Sequence, residues 1–250
     1  MNNATAQAQT VLITGGGRRI GAAIAKLLHA KGMSVAIHHN HSTDEAQALQ
    51  ASLEHARPDS TSLHQLDLRA ENAPRLLIDD VLRVHGSLHS LVNNASSFYP
   101  TPLGEAQEGD WDRLIGTNLK APFFLCQAAA ESLRASQGCI VNLADIYAER
   151  PLPKHSLYNI AKAGLVMMTK SLALELAPHI RVNAIAPGPI LWPETIPHDD
   201  GNEKIVQSTP LARKGEPSEI ACAVSFLIHD AKFTTGTTLP VDGGRSLGGY

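Results

Sequence analysis

The sequence predicts an α/β fold: one domain on a seven-stranded parallel sheet with helices on both faces. Two observations predict it. Short apolar, β-rich runs alternate with longer segments of helical period, and a repeated strand–helix–strand rhythm builds a parallel sheet. Most of the short runs are continuously apolar, as strands covered on both faces require. The strands are predicted over 10–14, 34–38, 61–66, 88–93, 139–144, 180–186 and 238–241, with 61–66 the most polar. Helices are predicted over 20–30, 44–55, 70–84, 111–134, 157–176 and 218–228. The stretch 187–210 breaks the rhythm with five prolines and reads as a lid over a pocket. Residues 1–9 read as a loose polar tail, leaving 10–250 as the single domain.

Composition narrows the function. The chain has 250 residues, 43% apolar and 18% charged, which suits a globular protein and argues against disorder. Lys and Arg number 21 against 24 Asp and Glu, a net charge of −3 that speaks against a nucleic-acid partner. Cys126, Cys139 and Cys222 are far apart and form no CxxC pair, which points to a reducing compartment. The first residues lack a secretory apolar core, and no run approaches the roughly 18 apolar residues of a membrane span. The expectation is a cytoplasmic protein with no membrane partner.

The first strand runs into Thr14-Gly15-Gly16-Gly17-Arg18-Arg19-Ile20-Gly21, and a helix pattern follows at once. Glycines let a backbone turn tightly and approach a pyrophosphate, and the helix start offers free N–H groups and partial positive charge. The spacing is not the strict GxGxxG, but its place in the first βαβ unit predicts a Rossmann-type dinucleotide site. The second strand ends in His38-His39-Asn40-His41-Ser42, with no acid before Asp44. An NAD site places a carboxylate there for the ribose 2′-hydroxyl. Arg18, Arg19, His38, Asn40, His41 and Ser42 would instead meet a 2′-phosphate, which favours NADPH. His38, His39 and His41 do not share one face cleanly, so no metal site is predicted.

Tyr158-Asn159-Ile160-Ala161-Lys162 opens a long helix pattern, placing Tyr158 and Lys162 one turn apart on one side. A nearby ammonium would lower the tyrosine pKa from about 10 and let it pass a proton near neutral pH.

Six motifs in order make the chain resemble the short-chain dehydrogenase/reductase family over nearly its whole length. They are the TGGGRRIG turn, Asp67-Leu68, Asn93-Asn94-Ala95, Thr117-Asn118-Leu119, YNIAK and Asn183-Ala184-Ile185-Ala186-Pro187-Gly188. The resemblance implies that Gly15, Ile20, Gly21, Asn94 and Ala95 line the cofactor, with Asp67 and Leu68 near its adenine. It implies that Lys162 bonds the nicotinamide ribose, that Tyr158 faces the same ring, and that Asn118 holds a proton-relaying water. Pro187, Gly188 and Ile190 complete the cofactor set.

Most of the family carry a serine thirteen residues before the tyrosine. Here that position is Asp145. An ionised carboxylate would repel a developing alkoxide, so Asp145 argues against a plain ketone substrate. It suits a substrate with a protonatable ring nitrogen, provided burial raises its pKa.

Asp145 with Tyr158 and Lys162 resembles the triad of the pteridine reductases, as do the segments NNASSFYPTP (93–102) and NLKAPFFL (118–125). This narrower resemblance implies that Phe98 stacks on a pterin, and that Ser96 and Arg19 contact cofactor or pterin. The lid, 187–194, matches only in part; Gly188 and Leu191 are expected to line the substrate, and Trp192 either closes over the pterin or packs as lid core. Stacking fixes the hydride distance. The implied reaction is NADPH-dependent reduction of a dihydropterin, an oxidised pterin or a folate, with Tyr158 and Asp145 supplying the proton. Dihydrobiopterin, dihydromonapterin and dihydrofolate share the ring, and the sequence does not choose among them. His41 stands where the family often has an arginine, so weaker or pH-dependent NADPH affinity is expected. The family's tetramers imply a homotetramer here, with helices 111–134 and 157–176 at the interface. The competing enzyme reading is a general carbonyl reductase such as a 3-oxoacyl-thioester reductase.

Overall fold

The computed structural model describes residues 8–191 and 200–248. The expected tail falls almost wholly outside the described residues, as does Trp192. Seven described strands form one sheet: β1 (Thr10–Ile13), β2 (Ser34–His39), β3 (Thr61–Gln65), β4 (Ser90–Asn93), β5 (Cys139–Leu143), β6 (Arg181–Pro187) and β7 (Thr238–Val241). Their order is β3-β2-β1-β4-β5-β6-β7, and every pair is parallel. The eight α-helices described are α1 (Arg19–Ala30), α2 (Thr43–Ala56), α3 (Ala73–His85), α4 (Glu108–Ile115), α5 (Ala121–Ala135), α6 (Ser156–Glu175), α7 (Asp200–Gln207) and α8 (Pro217–His229). No described helix is long and apolar enough to cross a membrane.

Side chains alternate between the two faces of a strand and both faces are covered, so the central strands are largely apolar, whereas β3 at the sheet edge is mostly polar. Val11, Ile13, Val141 and Leu143 pack on one face with Ile24 and Leu28 of α1 and Val224 of α8. Leu12, Leu91, Ile140 and Val182 pack on the other with Leu77 of α3, Leu125 of α5 and Leu165 of α6. The three cysteines are unpaired, with Cys126 and Cys139 buried and Cys222 exposed.

Two expectations are corrected. The stretch 111–134 is not one regular helix. Between α4 and α5 lies a π-turn, Gly116–Lys120, in which Ala121 N–H reaches back to Gly116 O. Pro122 has no N–H to give the preceding turn, which favours such an irregularity. The stretch 187–210 is not wholly irregular either, since it contains α7. Alternation of polar residues with only Ile205 and Val206 left α7 without a readable apolar stripe.

The turn after β1 is fixed from beneath. Gly15 adopts φ +59°, and a Cβ on Gly21 would lie 2.2 Å from Gly15 O, so both positions require glycine. Asn94 Nδ2 donates to Thr14 O and Gly15 O, each at 2.9 Å. Gly15 N–H donates to His38 Nδ1 at 3.2 Å, and His38 Nε2 donates to Leu66 O at 3.0 Å. With both ring nitrogens so engaged, the imidazole is neutral and buried. Its expected role as a phosphate donor is therefore corrected: His38 holds the glycine turn.

Burial lowers the His38 pKa from 6.5 to about 4. His29, His39 and His64 are buried and shifted the same way. Between pH 6.5 and about 4 the unfolded chain then binds more protons than the folded one, so stability falls as pH falls through that window. Denaturant unfolding at stepped pH is expected to show this loss. His38→Gln, which cannot titrate, is expected to reduce the slope by about one proton. A slope equal to that of the parent would contradict the assignment of His38.

Candidate active site

The strand order reverses between β1 and β4, where open α/β sheets place their ligand crevice. Thr14 Oγ1 accepts the N–H groups of Asn94 and Ala95, each at 3.0 Å, and so joins the two chains leaving these strands. Two cavities meet there and share Arg18 and Ser96. The first encloses about 520 Å³ and is lined by Gly15, Asn40, His41, Ser42, Asp67 and Leu68, among others. The second encloses about 470 Å³ and lies over the ends of β5 and β6. Together they form a two-chambered trough with the anion-ready turn and α1 N-terminus between the chambers, as a dinucleotide requires.

The first chamber gathers most of the predicted adenosine-side residues. Arg18, Asn40, His41 and Ser42 line it together, beside the N-terminus of α2. Three charged residues not singled out from sequence also line it: Glu45, Arg69 and Arg113. Hydrogen bonding to Arg69 holds the Asp67 carboxyl below its usual range. Glu45, in the first turn of α2, brings a carboxylate into the space expected to favour a 2′-phosphate.

The second chamber gathers the predicted catalytic side chains. Tyr158 OH donates to Asp145 Oδ2 at 2.7 Å, and Tyr147 N–H donates to Oδ1 at 2.9 Å. Asp145 caps the short 3₁₀ turn Ile146–Ala148 that follows β5, which aims its carboxylate at α6. Lys162, one turn beyond Tyr158, donates to Leu143 O at 2.7 Å, with Nζ 5.6 Å from the Tyr158 ring centre. A buried chain sets α6 against the sheet: Asn93 Nδ2 donates to Asn142 Oδ1, and Asn142 Nδ2 to Thr169 Oγ1, each at 2.9 Å.

Burial raises the Asp145 pKa, against the opposing effects of Tyr147 N–H, Tyr158 OH and Lys162. Burial also lowers Lys162 to about 8. The sequence expectation for Tyr158 is corrected. Burial and then the Asp145 carboxylate push its pKa well above 10, so the phenol rests with its proton in place.

Arg19, Ile20, Asn94, Phe98, Pro187 and Gly188 line the same chamber. So do Ile190 and Leu191, on the chain leaving β6. Gly188 is required, because a Cβ there would lie 2.6 Å from Asp242 Cα. Arg19 holds a left-handed backbone, φ 53°, which costs a non-glycine residue about 1 kcal/mol. Its guanidinium bonds Leu191 O at 3.4 Å and faces the chamber. The Phe98 ring stacks on His155, with centres 4.8 Å apart and planes at 14°, and packs edge-on against Tyr158 at 4.8 Å. Thr101 N–H, donating to Lys154 O at 2.6 Å, ties the Phe98 loop to the start of α6.

Asn118 lies in the π-turn, and its side chain is fully engaged within the protein. Its Oδ1 accepts from Ser96 Oγ at 2.6 Å and Ser97 N–H at 3.3 Å, and its Nδ2 donates to Ser97 O and Leu114 O, each at 2.9 Å. The saturated amide positions Ser96. Tyr147, which the sequence reading passed over, lines the chamber two residues beyond Asp145. Its place in the turn after β5 was the available signal. A second series, Ser62 Oγ–His64–Asp80 at 2.7 and 2.6 Å, imitates a nucleophile relay on β3. Ser62 is buried, also meets His85 at 2.8 Å and lines none of these chambers, so the series is structural.

A family model described as enoyl-(acyl carrier protein) reductase matches residues 16–246. A pteridine reductase 1 from Leishmania tarentolae is 35% identical, covering 96% of this chain and 97% of its own. A 3-oxoacyl-[acyl-carrier-protein] reductase FabG from Staphylococcus aureus is 37% identical, covering 96% and 98%. A 3beta-hydroxysteroid dehydrogenase 1 from Eggerthella lenta is 33% identical, covering 96% and 94%. The chain is therefore an oxidoreductase that belongs to the short-chain dehydrogenase/reductase family and works with a nicotinamide cofactor.

Proposed function

We propose that the protein is an NADPH-dependent pteridine reductase, which reduces a C=N bond of a dihydropterin, an oxidised pterin or a folate. The observation that carries this reading is the buried Asp145–Tyr158 hydrogen bond of 2.7 Å in a chamber that Phe98 also lines. A carboxylate facing the reacting oxygen of a ketone would destabilise the alkoxide as it forms. Beside a ring nitrogen, the same carboxyl is a proton source. Arg19 supports the reading, because a strained backbone kept for an arginine side chain marks a functional constraint. The competing reading is 3-oxoacyl-thioester reduction, and the 37% identity to the FabG protein favours it.

The nicotinamide, when bound, supplies the hydride to the ring carbon. Tyr158 gives its phenolic proton to the adjacent nitrogen. The phenolate left behind is stabilised by the Lys162 ammonium, and Asp145, when protonated, returns a proton through their shared hydrogen bond. The Phe98 face, backed by His155, holds the flat ring in place. NADPH is supported by Arg18, His41 and Ser42 around the first chamber, and Glu45 opposes it. A homotetramer is supported by exposed apolar side chains on α5 and α6, including Phe123, Phe124, Ile160 and Met167.

NADPH oxidation with dihydrobiopterin, dihydrofolate and acetoacetyl thioester in parallel separates the two readings. The two pterin substrates are expected to turn over. Asp145→Ser is expected to slow them about a hundredfold, the scale of a lost general acid. Turnover of the thioester alone would reject the pterin reading. The pH profile of kcat/KM tests the lysine: it is expected to fall above about pH 8, where Lys162 loses its proton. A profile level for two units beyond that would remove Lys162 from the step. For the cofactor, His41→Arg is expected to tighten NADPH about three- to tenfold through a charge-assisted contact. An equal gain for NADH would place His41 away from the 2′-phosphate.

A further inference from the structure

The geometry assigns to Tyr147 the selection of the substrate's side chain: its phenol hydroxyl hydrogen-bonds a hydroxylated substituent on the reacting ring carbon. This inference rests on the pterin reading and names the residue that would distinguish a hydroxylated tail from an apolar one within it.

Three observations carry it. First, Tyr147 lines the catalytic chamber, and its backbone N–H clamps Asp145 Oδ1 at 2.9 Å. Its phenol also lies close enough to feel the charges of Asp145 and Arg245. Arg245 belongs to the C-terminal turn, where it bonds Ile205 O of α7 at 3.2 Å. Tyr147 thus lies within reach of both the catalytic carboxyl and the C-terminal turn. Second, the hydroxyl of Tyr147 has no hydrogen-bond partner among the described residues. It is not among the buried unpartnered atoms and so is open to the solvent side of the chamber, where a ligand can reach it. Third, burial and the Asp145 charge raise its pKa, so it keeps its proton and remains a donor.

The chemistry of the substrate fixes what this donor meets. In a 7,8-dihydropterin the reducible bond joins N5 to C6. The hydride must arrive at C6 and the proton at N5. C6 also carries the side chain, so the tail begins at the reacting carbon itself. With N5 at Tyr158 and the ring on Phe98, the first atoms of the tail leave the ring beside Asp145 and run along the wall that holds Tyr147. A hydroxyl on the first carbons of that tail gives the phenol its acceptor. A methyl group does not.

The test compares kcat/KM for two dihydropterins that differ only in the tail, dihydrobiopterin and 6-methyl-7,8-dihydropterin, in the parent and in Tyr147→Phe. The expected result is a parent preference for dihydrobiopterin that falls about three- to tenfold in the variant, the weight of one hydrogen bond, with the change carried by KM. Equal losses on both substrates would assign Tyr147 a packing role and overturn the inference, as would an unchanged preference. Failure of the parent enzyme to turn over either pterin is a different outcome, and it rejects the pterin reading together with this inference.

Discussion

The reversal of strand order between β1 and β4 is the constraint on which the rest of the molecule depends. To either side of it the chain winds outward in opposite directions, so no helix covers the strand ends at that point. The gap needs a floor, and Thr14 provides it by receiving two N–H groups from the chain leaving β4. Asn94 returns the connection through the carbonyls of Thr14 and Gly15. His38 then secures the turn from the β2 side. Five side-chain or backbone groups, from the chain at the ends of three strands, thereby hold a loop whose own glycines give it no rigidity. The loop is free of side chains where a pyrophosphate must approach, and rigid where the sheet holds it.

The catalytic chamber is built from groups that the fold would be more stable without. Asp145, Tyr158 and Lys162 are withdrawn from water together, and each is shifted toward its neutral form by that withdrawal. They are tolerated because each has a partner: the carboxylate takes the phenol and a backbone N–H, and the ammonium takes Leu143 O. Arg19 adds backbone strain at the same place. The stabilising surplus lies elsewhere, in the two apolar layers that cover the sheet. For Asp145 and Lys162 the shift brings neutral and charged forms closer in energy near neutral pH, which favours proton transfer.

Much of this was legible in the sequence, and the reasons differ by element. The central strands declare themselves because a strand covered on both faces is mostly apolar and admits a polar residue only where it has a partner. The glycine turn is readable because its constraint is local, and Tyr158 and Lys162 because helical spacing alone puts them on one side. What escaped depended on three-dimensional neighbours. His38 looks like a phosphate donor in a run of polar residues, and only the position of Leu66 on the next strand shows its nitrogens to be engaged. The Asn118 amide holds Ser96, Ser97 and Leu114, partners that its place in the sequence does not reveal. The Tyr158 shift was read with the wrong sign, since one-dimensional spacing gives the lysine and conceals the burial and the carboxylate.

Near-equal identity to a pteridine reductase and to a 3-oxoacyl reductase does not decide between the two chemistries. Identity over a whole chain counts every position alike, and most positions of a chain this long build the scaffold rather than touch the reacting atoms. Substrate choice rests on the few side chains that touch the reacting atoms, too few to move a percentage. Their weight must be judged by chemistry instead. A carboxyl in place of a hydroxyl changes the sign of the field at the reacting atom, whereas most exchanges in the scaffold change only volume. Asp145 therefore bears more on the reaction than the two-point difference in identity does.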